Sequence, residues 1–171
     1  PKPSSAASDV YKRQEPILTF EEVVAIAREA SARTGRVIAV APELKHPFYF
    51  AGIGLPMEDV FVGELARLGL TGADAPIIIQ CFEVGPLERL ATRIEAPLAQ
   101  LVAGAGGPAD RPDLTYARMI TPEGLKAMAA YAAWVAPEMT MVLPRDAQGR
   151  SAAPSALVGD AHAAGLKVVV W

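Results

Sequence analysis

The chain has 171 residues, of which 51% are hydrophobic and 20% charged, a composition typical of a globular protein with one sizeable core. Its 16 Lys and Arg against 19 Asp and Glu give a net charge of -3, which argues against a nucleic-acid partner. Cys81 is the only cysteine, so an intrachain disulfide and a cysteine-based zinc cluster are excluded. No apolar run approaches the roughly 18 residues that suggest a membrane span.

The first residues differ in composition from everything that follows. Residues 1–14 are rich in Ser, Pro and charge and show no apolar period, which predicts disorder. They also resemble a translated adapter sequence and contain no apolar core of a signal peptide. We therefore interpret 1–14 as a non-native leader and place one domain at 15–171.

From residue 15 onward, amphipathic segments alternate with short apolar runs. Thr19 and Glu22 form a capping-box pattern that predicts a helix start, and Gly35 predicts the end of that helix. Clusters of β-branched and apolar residues predict buried strands at 36–41, 76–82, 97–103, 134–137 and 166–171. Helices are expected between them at 56–70, 86–94, 122–133 and 155–164, and a Gly-rich loop at 104–113.

Alternating buried strands and helices indicate parallel βαβ units whose strands are neighbours in sequence order. Periodicity alone does not separate an open doubly wound sheet from a closed barrel. A TIM barrel needs about 250 residues, and this chain opens on a helix and stops within an apparently buried strand. These features predict a fragment.

The segment that follows the first predicted strand carries the clearest chemical pattern. Residues 41–47 read APELKHP, and strand alternation places Glu43 and Lys45 on one side and Leu44 on the other. A carboxylate suits Ca²⁺ or Mg²⁺, and an ammonium suits a phosphate oxygen. A structural ion pair between the two side chains is the alternative interpretation.

Several motifs, in order and at matching spacing, resemble one family. They are TFEE at 19–22, PELKHP at 42–47 with YF at 49–50, QCFE at 80–83, TYA at 115–117, TPEGL at 121–125, LPRD at 143–146 and DAHAAGL at 160–166. This series is similar to the bacterial glycerophosphodiester phosphodiesterases of the periplasmic or secreted type, and it extends from about residue 17 to 171.

The resemblance implies an α/β fold, an incomplete TIM (β/α)8 barrel of the phospholipase-C-like phosphodiesterase type. It also implies hydrolysis of a small-molecule glycerophosphodiester to glycerol 3-phosphate and an alcohol, with a divalent cation as cofactor. Ca²⁺ is the expected cation, with Mg²⁺ as the alternative. The parent protein is expected in the periplasm or outside the cell.

Site residues follow from the same resemblance. Glu43 matches a carboxylate ligand of the cation, and Lys45 matches the neighbouring lysine on the phosphate side. Phe82 and Trp171 match aromatic positions at the glycerol end of the pocket, and Gln80 shares the inward strand face with Phe82. We predict Lys45 as catalytic, Glu43 as metal-binding, and the other three as substrate-binding.

The chain also departs from the family. The histidine pair that acts as general acid and base, and two further acidic ligands, belong to strands that have no counterpart here, so the fragment is expected to be inactive. We expect His46 to point outward or into its loop and His162 to be structural. Tyr116 and Arg118 follow the Gly-rich loop, on the side where the active face is expected. A substrate contact is one interpretation of this position, and we favour a surface role for both residues.

Two other functions remain open. One is a barrel that binds a phospholipid headgroup without catalysis, because it has lost the histidines. The other is a Schiff-base aldolase that uses Lys45 as its nucleophilic amine. The sequence gives no expectation for the oligomeric state.

Overall fold

A computed structural model describes residues 17–171, so the predicted leader at 1–14 lies outside the described residues. The described chain divides into two compact units, the first ending at Ile38 and the second comprising Ala39–Trp171. The predicted site residues all belong to the second unit.

The first unit contains helix α1 (Phe20–Thr34). Its start is the predicted capping box, in which the Thr19 hydroxyl accepts from the Glu22 N–H at 3.3 Å. The Glu22 carboxylate accepts from the Thr19 N–H at 2.7 Å in return. Gly35 ends the helix in the left-handed region, with φ 66°. Both predicted ends of this helix are confirmed.

The second unit is built on a parallel sheet. Its strands lie in the order β1-β2-β3-β4, each hydrogen-bonded in parallel to the next along the chain, as predicted. The strands are β1 (Ile79–Cys81), β2 (Leu98–Val102), β3 (Trp134–Pro137) and β4 (Lys167–Val168). The helices are α2 (Pro47–Gly52), α3 (Glu58–Arg67), α4 (Val84–Ala91), α5 (Tyr116–Met119), α6 (Pro122–Met128), α7 (Met139–Val142) and α8 (Leu157–Ala163).

The first predicted strand, 36–41, is wrong as a continuous buried strand. The chain runs parallel to the β1 region but pairs with it only through isolated bridges at Val40 and Glu43. Pro42 lies between these bridges, and because proline has no N–H it interrupts the ladder. Val37 is 82% exposed, so the start of the predicted strand is not buried.

The last predicted strand, 166–171, is shorter and less buried than expected. Regular pairing covers only β4, although the N–H groups of Val169 and Trp171 still donate to β3, at 3.2 Å in each case. Half of the Trp171 side chain is exposed. The carboxyl end of this segment therefore stays beside β3 while its outer surface remains open.

The sheet buries its two faces to different degrees. One face packs under the helices in a core that includes Val102, Leu125, Met128, Val135 and Leu166. The opposite face holds a smaller cluster centred on Ala99, Leu101 and Ala136, against which the partly buried Ile78, Phe82 and Trp134 pack. Side-chain alternation along each strand produces this division, and Phe82, just past the end of β1, packs against both clusters.

Two glycines in helices of the second unit differ in the space around them for an added side chain. A Cβ at Gly124 in α6 would lie 2.2 Å from the Arg118 carbonyl oxygen, whereas one at Gly63 in α3 would meet nothing within 4 Å. We expect Gly124→Ala to destabilise the protein by about 1–3 kcal/mol. The control Gly63→Ala should stabilise it by up to about 1 kcal/mol. Denaturant unfolding measures both, and equal effects would contradict the close approach at Gly124.

Candidate functional site

A cleft of ≈ 270 Å³ opens at the carboxyl ends of β1 and of the bridged segment before it. This is the edge of a parallel sheet at which α/β proteins bind ligands. Among the predicted site residues, the cleft brings together Glu43, Lys45 and Phe82. Its full lining is Glu43, Leu44, Lys45, His46, Cys81, Phe82, Glu83, Gly107, Ala109 and Tyr116.

Glu43 and Lys45 are both exposed, while Leu44 between them is 7% exposed, as strand alternation predicts. The ion pairs formed among the described residues all lie elsewhere, so the alternative of a structural Glu43–Lys45 pair is not formed. Within residues 17–171 neither side chain makes a hydrogen bond. A carboxylate and an ammonium are therefore available to a ligand in one cleft.

Gln80 and Trp171 are not among the residues that line the cleft. The Gln80 amide donates to the Ala41 carbonyl oxygen at 3.1 Å, just before Glu43. Trp171 meets Phe82 edge-on, with ring centroids 5.5 Å apart, and its indole N–H donates to the Ala136 carbonyl oxygen at 3.1 Å. Trp171 thus supports the aromatic wall from behind, and Gln80 supports the backbone that carries Glu43.

Sequence reasoning missed Glu83, a carboxylate that is only 3% exposed. It accepts a hydrogen bond from the Phe48 N–H at 2.6 Å, in the first turn of α2. That turn follows His46, which has a left-handed backbone with φ 54°, is exposed and lines the cleft. Glu83 therefore fixes the turn next to Lys45. A lone Glu at a strand end gives no sequence signal for this contact.

Burial raises the pKa of the Glu83 carboxyl; the Phe48 hydrogen bond lowers it, and the Asp110 charge raises it. A carboxyl with a raised pKa stabilises the fold fully below its ordinary pKa of about 4.3, and that contribution is lost as the pH rises through the folded pKa. Glu83→Gln keeps an acceptor but carries no charge. We expect it to be more stable than the parent at pH 7, by on the order of 1 kcal/mol.

Unfolding curves at pH 5 and pH 7.5 check this expectation. The stability gap between Glu83→Gln and the parent should widen with rising pH. Glu88→Gln, at an exposed position of α4, is the matched control for replacing a glutamate with glutamine on the same helix. A variant that loses the same stability at both pH values would show that the Glu83 charge is needed by the fold.

Cys81 lies at the base of the cleft but is not built to react. Its thiol is buried and donates to the Leu44 carbonyl oxygen at 3.1 Å. Burial raises its pKa to about 12, so almost no thiolate forms near neutral pH. The residue is therefore a packing element of the sheet.

Asp110, from the loop after β2, accepts hydrogen bonds from the N–H groups of Val84 and Gly85, at 3.1 and 2.6 Å. It therefore caps α4 from a distant part of the chain.

The expected surface position of Tyr116 is wrong, since it is 6% exposed and lines the cleft. The signal for its burial was present: Tyr116 and Met119 follow the cap residue Thr115 at helical spacing.

No family model matches this sequence. Glycerophosphodiester phosphodiesterase GDPD6 of Arabidopsis thaliana is 27% identical to it over 170 residues, which cover 92% of this chain and 44% of that protein. The chain is therefore similar to a glycerophosphodiester phosphodiesterase over most of its own length. It spans about half the length of the curated relative that it matches.

A solved structure has a fold similar to that of this chain. It is the crystal structure of a protein described as a glycerophosphoryl diester phosphodiesterase of Agrobacterium tumefaciens. The TM-score is 0.50 at 15% identity, and the likeness covers 85% of this chain and 50% of that one. It confirms the predicted fold class, an incomplete TIM barrel.

The cation implied by the resemblance can be tested against the side chains present. Within 17–171, no group of three His, Cys, Asp or Glu residues is placed to hold a metal ion. Among the described residues that line the cleft, Glu43 is the carboxylate without a hydrogen-bond or ion-pair partner. The described residues therefore do not form a complete cation site.

His162 is exposed in the last turn of α8. Since α8 begins after β3 and leads back into β4, its last turn lies toward the amino ends of the strands, away from the cleft. The structural role expected for His162 stays a prediction. Among the helices of residues 17–171, none is long and apolar enough to cross a membrane.

Proposed function

We propose that this chain is part of a metal-dependent glycerophosphodiester phosphodiesterase that releases glycerol 3-phosphate and an alcohol. The observation that carries the proposal is the pair of unpaired side chains, Glu43 and Lys45, in one cleft at the carboxyl edge of a parallel sheet. The relationship to proteins named as phosphodiesterases supports the same reaction.

In this proposal Lys45 binds the phosphate of the substrate. Its ammonium makes no ion pair with the described residues, so it can contact a phosphate oxygen and stabilise the charge that develops there. Phe82 forms an apolar wall for the glycerol portion, with Trp171 behind it. Gln80 shares the strand face of Phe82 and is also proposed to bind the substrate.

Glu43 is proposed as one ligand of the divalent cation, with the remaining ligands outside the described residues. Ca²⁺ is the preferred ion and Mg²⁺ the alternative, because both take carboxylate oxygen. The histidine pair that serves as general acid and base is likewise proposed to lie outside this chain. A periplasmic or secreted parent protein stays a prediction from the resemblance.

The test compares this chain with a completed barrel, in which the chain is fused behind the amino-terminal strands of the Agrobacterium protein. Glycerol 3-phosphate release from glycerophosphocholine is measured with added Ca²⁺. We expect no turnover from the chain alone, turnover from the completed barrel, and loss of that turnover with a chelator.

Other results of these assays would contradict the proposal in different ways. Robust turnover by the chain alone would mean that the catalytic groups are misassigned. A completed barrel that folds and binds substrate without turnover would favour the headgroup-binding barrel. Borohydride trapping of a carbonyl substrate on Lys45 would favour the aldolase.

A further inference from the structure

Tyr116 lines the cleft and carries a hydroxyl that the proposed reaction does not use. The residue is 6% exposed, and its ring meets Phe82 edge-on with centroids 6.1 Å apart. Its hydroxyl makes no hydrogen bond to another residue of 17–171. Every fully buried side-chain N or O atom in that range has a partner, so this hydroxyl is not fully buried, and the residue that carries it lines the cleft.

The surroundings of this hydroxyl suit a neutral group. Burial raises the pKa of Tyr116 to about 12, with smaller upward contributions from Cys81, Asp110 and Glu83. The phenol therefore stays protonated near neutral pH and can both donate and accept a hydrogen bond. The carboxylates of Asp110 and Glu83 disfavour an anion beside it, whereas Lys45 supplies an unpaired ammonium.

We propose that Tyr116 is a specificity-determining residue whose hydroxyl binds an alcohol hydroxyl of the ligand while Lys45 binds the phosphate. The inference rests on the proposed function, since it assumes a phosphate ester as ligand. The aromatic edge of Phe82 beside the phenol fits the carbon chain of a small polyol. Tyr116 would thus select a hydroxylated phosphate ester over a plain alkyl phosphate.

The experiment removes the hydroxyl from the protein and, separately, from the ligand. Binding of glycerol 3-phosphate and of propyl phosphate, which lacks the hydroxyls, is measured by NMR titration of the chain and of Tyr116→Phe. We expect the variant to bind glycerol 3-phosphate about fivefold to tenfold more weakly. Its affinity for propyl phosphate should stay within about twofold of the parent.

Tyr131→Phe is the matched control. The Tyr131 hydroxyl donates to the buried Gln100 amide oxygen at 2.8 Å and does not line the cleft. This variant should lower the melting temperature and leave both affinities unchanged. Tyr116→Phe should leave the melting temperature unchanged, because its hydroxyl has no protein partner among the described residues.

If Tyr116→Phe weakens the binding of both ligands equally, or weakens neither, the role of Tyr116 is overturned. In either case, binding of the phosphates by the parent chain leaves the proposed function standing. Failure of the unaltered chain to bind either phosphate overturns the role of Tyr116, whereas the proposed function is decided separately by the turnover of the completed barrel. A loss confined to glycerol 3-phosphate supports the selection of a hydroxyl by Tyr116.

Discussion

Replacing Glu43 with Gln in the completed barrel should abolish phosphodiester hydrolysis by weakening cation binding. The change keeps the size of the side chain and removes the charge of a hard oxygen ligand. Loss of a group that merely supports a metal ligand costs about 10–100-fold in metal affinity, so loss of a ligand charge should cost at least as much. Calorimetric titration with Ca²⁺ and with Mg²⁺ measures the change.

Glu88→Gln is the control for Glu43→Gln, because Glu88 is an exposed carboxylate on α4 that does not line the cleft. It should leave both cation affinities and turnover as they are. If Glu43→Gln binds both cations with unchanged affinity, Glu43 is not a metal ligand and is only a polar residue of the cleft.

Lys45→Met in the completed barrel should reduce turnover while leaving the cation bound, because the ammonium serves the phosphate. Removing a preorganised donor of this kind costs about 2–4 kcal/mol in transition-state stabilisation, which corresponds to a fall in kcat of about 30-fold to 900-fold. Methionine keeps the length and packing of the side chain without its charge. Steady-state kinetics with glycerophosphocholine, together with a Ca²⁺ titration, separates the two effects.

Lys126→Met, on the exposed surface of α6, is the control for this change and should have normal kinetics. Full activity of Lys45→Met would refute the phosphate contact. Loss of cation binding together with turnover would instead show that Lys45 organises the site that holds the cation.

The sheet could be predicted from the sequence because its signals are local. Apolar β-branched runs such as 98–102 differ plainly from the amphipathic helices around them, and sequential parallel strands pair in order. Element ends were less predictable. Pro42 breaks a ladder within a run that otherwise favours a strand, and the short helices α2, α5 and α7 were missed because they lack a full apolar period.

The candidate site was predictable only in part, and for a physical reason. Glu43 and Lys45 share a face through strand alternation, which adjacent sequence reveals. Glu83, Asp110 and Tyr116 reach their positions through contacts between distant segments, such as the bond between Glu83 and the Phe48 N–H. Such contacts depend on tertiary packing, and a single sequence carries little trace of them.

Pro42 leaves the hydrogen-bond ladder incomplete on the side of the chain that faces β1. The N–H groups of Val40 and Leu44 donate toward β1, to the carbonyl oxygens of Pro76 and Gln80. Neighbouring residues of an extended chain turn their amides to opposite sides, so the missing N–H of Pro42 faces β1, and the amides of Ala41 and Glu43 face outward. Those two amides have no acceptor among the described residues. This flank is therefore an open edge of the sheet, with two backbone donors facing the direction in which a further strand would pair.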